Sequence, residues 1–274
     1  MAPDPIEPAA FNFILQVERF YASLIAGADS DLGREPSLGG RLLYAGELDG
    51  EGRALLVAGN IAGAASLAAT ADAAARKQAI RDGVADFLVT TLDEALRILK
   101  NEIRKREAVA VCVAGAPEAV EREMLERGVL PDLPRPDAAV APECASLLGQ
   151  GGRRIQRLTL EKQPVLLTWS VAAAPAQWLP KLDAIALDCL SLESSPGARA
   201  ARRWLRLAPR YLGRLAQGLR GIYCEPETAK EFVARLQRAV DRGEIGVEVR
   251  VSLSCNGETR ALHLSPPAAS ESAG

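Results

Sequence analysis

The chain has 274 residues, 48% hydrophobic and 25% charged, and its 33 basic and 35 acidic residues give a net charge of −2. These proportions are typical of a globular protein and exclude a collagen-like, coiled-coil or wholly disordered chain. Because the charge is nearly neutral, a general polyanion binder is also excluded, and only local basic patches could contact nucleic acid or anionic membranes.

The N-terminus, the cysteines and the single histidine indicate a cytoplasmic protein without common histidine chemistry. The first apolar run is too short for a membrane span and follows two acids, which argues against a signal peptide or anchor. Five widely spaced cysteines without a CxxC pair favour free thiols in a reducing compartment, with Cys255 the one expected to be exposed. Catalytic triads, Cys-His dyads and His-rich zinc sites need an imidazole at an ordered position. His263 is the only histidine and stands beside the Pro-, Ser- and Ala-rich tail, so we expect it to have a surface or edge-strand role.

The first half alternates between helix and strand patterns. In chain order, these predict an extended arm over residues 1–10, a helix over 11–25, a strand over 41–45, a polar loop over 46–53, a helix over 54–63 and a strand over 66–71. Helices capped by Asp72 and Thr91 follow, running to residues 81 and 103. A strand over 108–114 and a helix over 117–127 complete this half.

Residues 133–152 are rich in Pro, Ala and Gly and predict a linker or long loop. Beyond them the patterns predict strands over 165–169, 185–189 and 222–224, helices over 198–215 and 227–242, and a hairpin of 247–254 with 260–264. The predicted fold class is α/β: a Rossmann-like parallel sheet with helices on both faces, plus a smaller C-terminal α/β extension. The predicted limits are 1–40 for the arm and first helix, 41–152 for the core, 153–264 for a C-terminal part of the same domain, and 265–274 for a disordered tail.

Three segments between Arg41 and Asp132 carry a combination of motifs. They read RLLYAGELDGEGRALLVAGNIAG, SLAATADAAARKQAIRDGVADFLVTTLDEAL and AVAVCVAGAPEAVEREMLERGVLPDL. They resemble three parts of urocanase, a family that hydrates urocanate using bound NAD. The first segment resembles its nucleotide loop with the following helix, and the second resembles its second strand, the next helix and an LDEAL helix start. The third resembles a unit of strand, glycine and helix that ends in RG and PD. The pattern aligns without a gap from Arg41 to Leu96 and covers about a third of the chain. A weaker resemblance over residues 202–224 and 239–245 implies a shortened enzyme without the family's long N-terminal domain.

The glycine-rich loop departs most from the family. Where the family reads roughly G-x-G-G-x-G-G-A-Q-P, this chain reads ELDGEGRALL from Glu47 to Leu56. Glycines let a pyrophosphate reach the N–H groups of a helix start, whereas side chains block that approach. Two like charges 4 Å apart repel by about 1 kcal/mol in water and about 4 kcal/mol at a dielectric near 20. We therefore expect Glu47, Asp49 and Glu51, offset in part by Arg53, to stabilise the helix start in place of a bound anion.

The resemblance implies that a residual NAD site would lie at the carboxyl ends of the strands. Its residues would be Gly50, Gly52, Arg53, Thr70, Asp72 and Gly115. Thr70 falls where the family has the acid that holds the ribose. The family's D-Q-T-S-A-H-D stretch is replaced by PDAAVAP at 136–142 and the start of its R-D-H-L-D stretch by LSCNG at 253–257, so no catalytic residue is carried over, and no metal site is predicted.

A basic stripe follows in the C-terminal half. A stretch without acids contains Arg199, Arg202, Arg203, Arg206, Arg210, Arg214 and Arg220. The stripe would suit an anion or RNA, or it is the solvated face of a helix whose other side carries Trp204 and Leu205. Only 4% of the residues are aromatic, and none is expected on the basic face of the helix, which favours the solvated face and argues against nucleic-acid binding.

Three functions stay open. The favoured one is a non-catalytic urocanase-related protein with a structural, regulatory or partner-binding role, acting as a homo-oligomer or with a partner protein. The second is a small-ligand or residual NAD binder. The third is a urocanate hydratase-like lyase of histidine catabolism, completed by a partner chain that supplies the missing catalytic segments. Fold does not decide among them.

Overall fold

The computed structural model describes residues 8–26, 28, 35–134, 164–213 and 218–266. The chain divides into two compact units. Residues 11–159 with 210–214 form the N-terminal unit, and residues 1–10, 160–209 and 215–274 form the C-terminal unit. Most of the predicted arm, linker and tail lies outside the described residues, and the predicted domain limits stay predictions. The end of the predicted arm is wrong, because helix already begins at Pro8.

The N-terminal unit is a parallel α/β structure. Its elements are α1 (Pro8–Ala26), β1 (Leu42–Glu47), α2 (Gly50–Ala62), β2 (Ala65–Thr70), α3 (Ala73–Arg81), β3 (Phe87–Val89), α4 (Leu92–Lys105), β4 (Val109–Ala114) and α5 (Pro117–Glu126). The strands are all parallel in the order β1-β2-β4-β3. After α5 the chain returns beside β1, where Leu133 bridges Leu43. This arrangement confirms the predicted Rossmann-like parallel sheet.

Helices cover both faces of this sheet. On one face, Leu67 and Val111 belong to a core that includes side chains of α4 and α5. On the other face, Gly59 of α2 lies against Leu43 and Ser66, and a Cβ at Gly59 would come within 2.6 Å of both side chains. Strands that are buried on both faces need a continuous apolar sequence. This is why the apolar run at residues 108–114 correctly predicted a strand.

Local signals set most helix limits of the N-terminal unit. Asp72 accepts a hydrogen bond from the Ala74 amide at the start of α3, and Thr91 forms a capping box with Glu94 at the start of α4. Both predicted caps are confirmed. The predicted polar loop over 46–53 is wrong at both ends, because β1 continues to Glu47 and α2 already begins at Gly50. Strand β3 was not predicted.

The C-terminal unit has an antiparallel sheet. Its elements are β5 (Val165–Val171), α6 (Pro175–Ser191), α7 (Pro196–Leu212), β6 (Leu219–Cys224), α8 (Pro226–Asp241), β7 (Val249–Cys255) and β8 (Glu258–Leu264). The strand order is β6-β5-β7-β8, with every pair antiparallel. The predicted hairpin is confirmed, and its turn uses positive φ at Asn256 and Gly257. The predicted strand over 185–189 is wrong, since these residues lie in α6, and Cys189 is therefore a helix residue.

A polar group lies inside the C-terminal unit. Trp169 of β5 packs on Phe232 of α8 with ring centroids 4.9 Å apart, and its indole N–H donates to Asp183 of α6 at 3.1 Å. Arg220 of β6 forms an ion pair with the same carboxylate at 2.9 Å, with 13% of each side chain exposed. Burial raises the pKa of Asp183, and the Arg220 charge opposes that shift. The group joins a helix to two strands.

Within the described ranges, no helix combines the length and the apolar character needed to cross a membrane.

Candidate functional site

The predicted ligand residues lie at or just after the carboxyl ends of β1, β2 and β4. β1 and β2 are adjacent, and just past the end of β1 the Leu48 amide donates to the Ala69 carbonyl at 3.0 Å. Past the end of β4, the Gly115 amide donates to the Thr70 carbonyl at 3.2 Å. This is the edge at which open α/β sheets bind ligands.

Asp49 occupies the start of α2. It has extended backbone geometry, and its carboxylate accepts a hydrogen bond from the Gly52 amide at 2.9 Å. Glu47 folds back in the same way, accepting from the Leu48 amide at 3.1 Å. A helix start attracts an anion because its first N–H groups lack partners and the helix dipole is positive there. Here the chain's own carboxylates take up two amides of this loop.

The two loop glycines differ in their surroundings. Gly52 is buried, and a Cβ on it would lie 1.9 Å from the Glu47 carbonyl oxygen. Only glycine therefore lets α2 start so close to the end of β1. Gly50, in contrast, is exposed, and a Cβ there would meet nothing within 4 Å. Packing alone explains why residue 52 is glycine. The surroundings of Gly50 do not require glycine there.

Arg53 forms its ion pair outside the group of Glu47, Asp49 and Glu51. Its guanidinium pairs with Asp82, the residue that follows α3. Asp82 also accepts a hydrogen bond from Gln78 at 2.8 Å. The ion pair shares the Arg53 charge with Asp82, and the expected partial offset of the loop charge stays a prediction. This ion pair links α2 to the end of α3.

Nearby residues of the chain form hydrogen bonds to Thr70 at the end of β2. Thr70 is buried, its carbonyl accepts from Arg76 at 2.7 Å, and its hydroxyl accepts from the Asp72 amide at 3.2 Å. Arg76 was missed by sequence reasoning. The available signal was its place four residues after the Asp72 cap, because side chains in a first turn lean back toward the helix start. Asp82 gave no sequence signal, since its partner is distant in the chain.

Cys112 lies beneath this edge in β4 and is fully buried, as predicted. Burial raises the pKa of its thiol to about 11; the Arg76 charge opposes the shift and the Glu47 charge adds to it. The thiol is therefore neutral at physiological pH and a poor nucleophile. Gly115, near the end of the same strand, would tolerate a Cβ, which would meet only Val120 at 3.8 Å.

These residues do not fit the pyrophosphate of a dinucleotide at the start of α2. The Gly52 amide already has an acceptor in Asp49, and two further carboxylates, Glu47 and Glu51, stand in the same loop. A phosphate would have to displace Asp49 and then face repulsion from its neighbours. Whether Gly50, Gly52, Arg53, Thr70, Asp72 and Gly115 bind any ligand stays a prediction.

Other candidate groups have structural partners. Arg199 and Arg202 of the basic stripe donate to backbone carbonyls at and beyond the end of α6. His263 is an exposed residue of edge strand β8, 3.4 Å from Glu248, in agreement with its predicted role. Cys255 is partly exposed, whereas the other described cysteines are buried. In the described part of the chain, no three His, Cys, Asp or Glu residues are grouped to hold a metal ion.

The parallel sheet and its two helical layers define a Rossmann-like domain. Residues 17–140 match the family model described as the Urocanase Rossmann-like domain. The chain therefore carries a urocanase Rossmann-like domain in this segment, which contains the whole of the motif resemblance from Arg41 to Asp132. The weaker resemblance after residue 202 lies outside the match and stays a prediction.

A curated relative supports the same assignment. S-methyl thiourocanate hydratase from Variovorax sp. (strain JCM 16519 / RA8) is 28% identical to this chain over 126 residues. The match covers 46% of this chain but only 23% of that protein. The similarity thus concerns one part of a much longer enzyme, and it establishes no activity for this chain.

Proposed function

We propose that this chain is a non-catalytic relative of urocanase that keeps the Rossmann-like scaffold for a structural, regulatory or partner-binding role. It does not hold NAD at the start of α2, although the urocanase family uses NAD. The observation that carries this proposal is the 2.9 Å hydrogen bond from the Gly52 amide to Asp49. A carboxylate of the chain stands where a ligand phosphate would have to bind.

The charge of the loop points the same way. Glu47, Asp49 and Glu51 lie within five residues, and Arg53 is engaged by Asp82. A pyrophosphate would add negative charge to this group, and each close pair of like charges costs about 1 kcal/mol in water and more where water is excluded. Free thiols at Cys112, Cys189, Cys224 and Cys255 support a cytoplasmic location as part of the same proposal.

Calorimetric titration of the full chain with NAD tests the proposal. We expect no saturable binding at NAD concentrations up to the millimolar range. Saturable binding at micromolar NAD would contradict the proposal directly. The assay should include a known NAD-dependent protein as a positive control.

A loop variant tests the reason for the exclusion. The triple variant Glu47→Gln, Asp49→Gly, Glu51→Gln removes three charges and frees the Gly52 amide, so we expect it to gain measurable NAD affinity. Glu126→Gln removes one exposed charge at the end of α5 and should stay without affinity. If the triple variant binds no better than the control, the carboxylates are not what excludes the dinucleotide.

A second candidate is an NAD-binding hydratase-like lyase completed by a partner chain. It is favoured by the name of the matched relative and by Gly50, whose surroundings are open at the first turn of α2. The loss of ultraviolet absorbance of urocanate or S-methyl thiourocanate, measured with NAD and any co-encoded partner present, tests it. Turnover that requires this chain would replace the first proposal with the second.

A further inference from the structure

Helix α7 has one apolar side and one side on which every residue is an arginine. At 3.6 residues per turn, these arginines lie within an arc of about 100° that extends about 17 Å along the helix. They are Arg199, Arg202, Arg203, Arg206 and Arg210, and we call them the arginine face. The opposite side of the helix is buried, and its Trp204 indole donates to the Gly221 carbonyl of β6 at 2.8 Å. The apolar side therefore anchors α7, and Arg206 and Arg210 are exposed on the arginine face.

Three of the five arginines form no ion pair in the described part of the chain. Arg199 and Arg202 donate to backbone carbonyls at and beyond the end of α6. The Arg210 guanidinium lies 5.4 Å from the ring centroid of Tyr211. No acidic residue occurs in the sequence from residue 194 to residue 224. The positive charge of the arginine face is therefore not balanced within its own helix.

Helix α8 provides a comparison, because it carries arginines together with a carboxylate that balances them. Arg235 and Arg238 both pair with Glu231, at 2.6 and 3.6 Å. Opposite charges one turn apart stabilise a helix, whereas like charges at the same spacing destabilise it. On α7 the arginines stand three or four residues apart without a carboxylate between them. An acidic partner would relieve the repulsion among them.

We propose that the arginine face of α7 binds an acidic segment of a partner protein. A guanidinium donates two parallel hydrogen bonds to one carboxylate, which makes arginine well suited to this contact. An acidic helix lying along α7 repeats its carboxylates every three or four residues, so each turn supplies a partner for an arginine. The proposal goes beyond the proposed function and does not depend on whether NAD binds at the start of α2, so either can fail alone.

The arginine face is only one helix wide, which favours a protein segment over a nucleic acid. Near its first turn, Glu193 accepts from Arg202 through its backbone carbonyl and from Thr228 of α8 through its carboxylate. Glu225 and Glu227 are exposed at the start of α8. A nucleic acid covers roughly 1,000–2,500 Å² of protein and would extend its phosphates toward these carboxylates. The arc also contains no aromatic side chain to stack on bases.

Fluorescence anisotropy of a labelled acidic peptide with the full chain tests the proposal. The probe is a helical peptide with glutamates at the three- and four-residue intervals of the arginine face, and its control has glutamine at the same positions. We expect saturable binding of the glutamate peptide, at least tenfold tighter than that of the glutamine peptide, because hydrogen bonds between charged groups are the stronger ones. No saturable binding, or equal binding of the two peptides, would overturn the proposal.

Two variants show whether α7 is the binding surface. Arg206→Gln with Arg210→Gln removes two exposed charges from the arginine face and should weaken binding of the glutamate peptide at least tenfold. The matched control, Arg235→Gln with Arg238→Gln, removes two charges from α8 and should leave the affinity nearly unchanged. Circular dichroism checks that both variants are folded. Equal weakening by the two variants would sink the proposal, because the overall charge of the protein would then attract the peptide.

A labelled DNA duplex distinguishes the other class of partner. Under the proposal, the full chain binds the glutamate peptide more tightly than the duplex at the same salt concentration. Tighter binding of the duplex, lost in the Arg206→Gln, Arg210→Gln variant, would show that the arginine face recognises phosphates and would replace the acidic protein segment as its partner.

Discussion

The two units of this chain differ in how most of their helix starts are satisfied. In the N-terminal unit, the helices after β1, β2 and β3 begin with a side-chain cap from Asp49, Asp72 and Thr91, and α5 begins at a proline without one. In the C-terminal unit, α6 and α8 begin at prolines without a side-chain cap, and at the start of α7 the Ser195 hydroxyl accepts from the Ala198 amide at 3.1 Å. Parallel strands direct the following helix starts toward one edge of the sheet, where relatives of this fold bind anions. In this chain, the carboxylates of Asp49 and Asp72 accept the backbone amides of Gly52 and Ala74 at that edge.

The capping carboxylates and Asp183 differ in their surroundings. The capping carboxylates of the N-terminal unit lie at the rim of the sheet, whereas Asp183 of the C-terminal unit is enclosed with Arg220 and Trp169. Substituting a capping residue at the rim should lower the free energy of unfolding only modestly. Removing the partner of an enclosed charge should lower it more, because the charge is left buried and unpaired. The expected effects of substitutions follow from this difference.

The largest effect is expected for Gly52→Ala. Its Cβ would overlap the Glu47 carbonyl, so we expect a loss of about 4 kcal/mol in the free energy of unfolding of the N-terminal unit. Gly50→Ala is the matched control in the same turn, where the space is open, and should change stability by less than about 1 kcal/mol. Urea denaturation, monitored by hydrogen exchange in each unit, measures the change in the free energy of unfolding for both variants. Equal effects of the two substitutions would contradict the packing role of Gly52.

The next effect is expected in the C-terminal unit. Arg220→Met leaves Asp183 enclosed without its cation and should cost about 3 kcal/mol. Adding Asp183→Asn should restore part of this loss, because the amide oxygen can still accept from Trp169. A double-mutant cycle from urea denaturation gives the coupling energy. If the two losses are additive, the ion pair does not behave as a coupled, enclosed group.

Glu18 of α1 makes the stability of the N-terminal unit depend on pH. Burial raises the pKa of its carboxyl to about 8, and Arg19 opposes the shift; one carboxyl oxygen has no hydrogen-bond partner in the described structure. Because the folded pKa lies above the unfolded value of 4.5, the folded state holds the proton more tightly. Its contribution to stability is complete below about pH 4.5 and is lost as the pH rises through about 8.

We therefore expect the free energy of unfolding to fall by about 2 kcal/mol between pH 6 and pH 8 on account of Glu18. Glu18→Gln should remove this slope, whereas Glu107→Gln, at an exposed position, should keep it. Urea midpoints measured across this pH range give the slope. A Glu18→Gln variant with the same slope as the unmodified chain would show that Glu18 is not its source.

The smallest effect is expected at the caps. Asp49→Ala should cost about 1 kcal/mol through the lost bond to the Gly52 amide, and Asp72→Ala a similar amount at α3. Asp49→Asn keeps an acceptor and should cost less. If Asp49→Ala leaves the urea midpoint unchanged, the carboxylate does not stabilise the helix start.

Most of the parallel unit could be predicted from sequence, because its strands are continuous apolar runs and its helices have cap signals. Strand β3 escaped because three residues form no detectable period. The run at 185–189 was assigned to a strand because a short apolar stretch fits either element, and Pro180 inside α6 hides the helix pattern. The contact of Arg53 with Asp82 depends on tertiary packing and left no local signal.

The carboxylate that closes the start of α2 is encoded in the chain, so this helix is complete as soon as the polypeptide has folded. A small molecule that binds only the native state normally adds to its stability. Under the function proposed above, NAD makes no such contribution to this unit. The cellular abundance of the protein should then follow synthesis and degradation and stay independent of nucleotide supply.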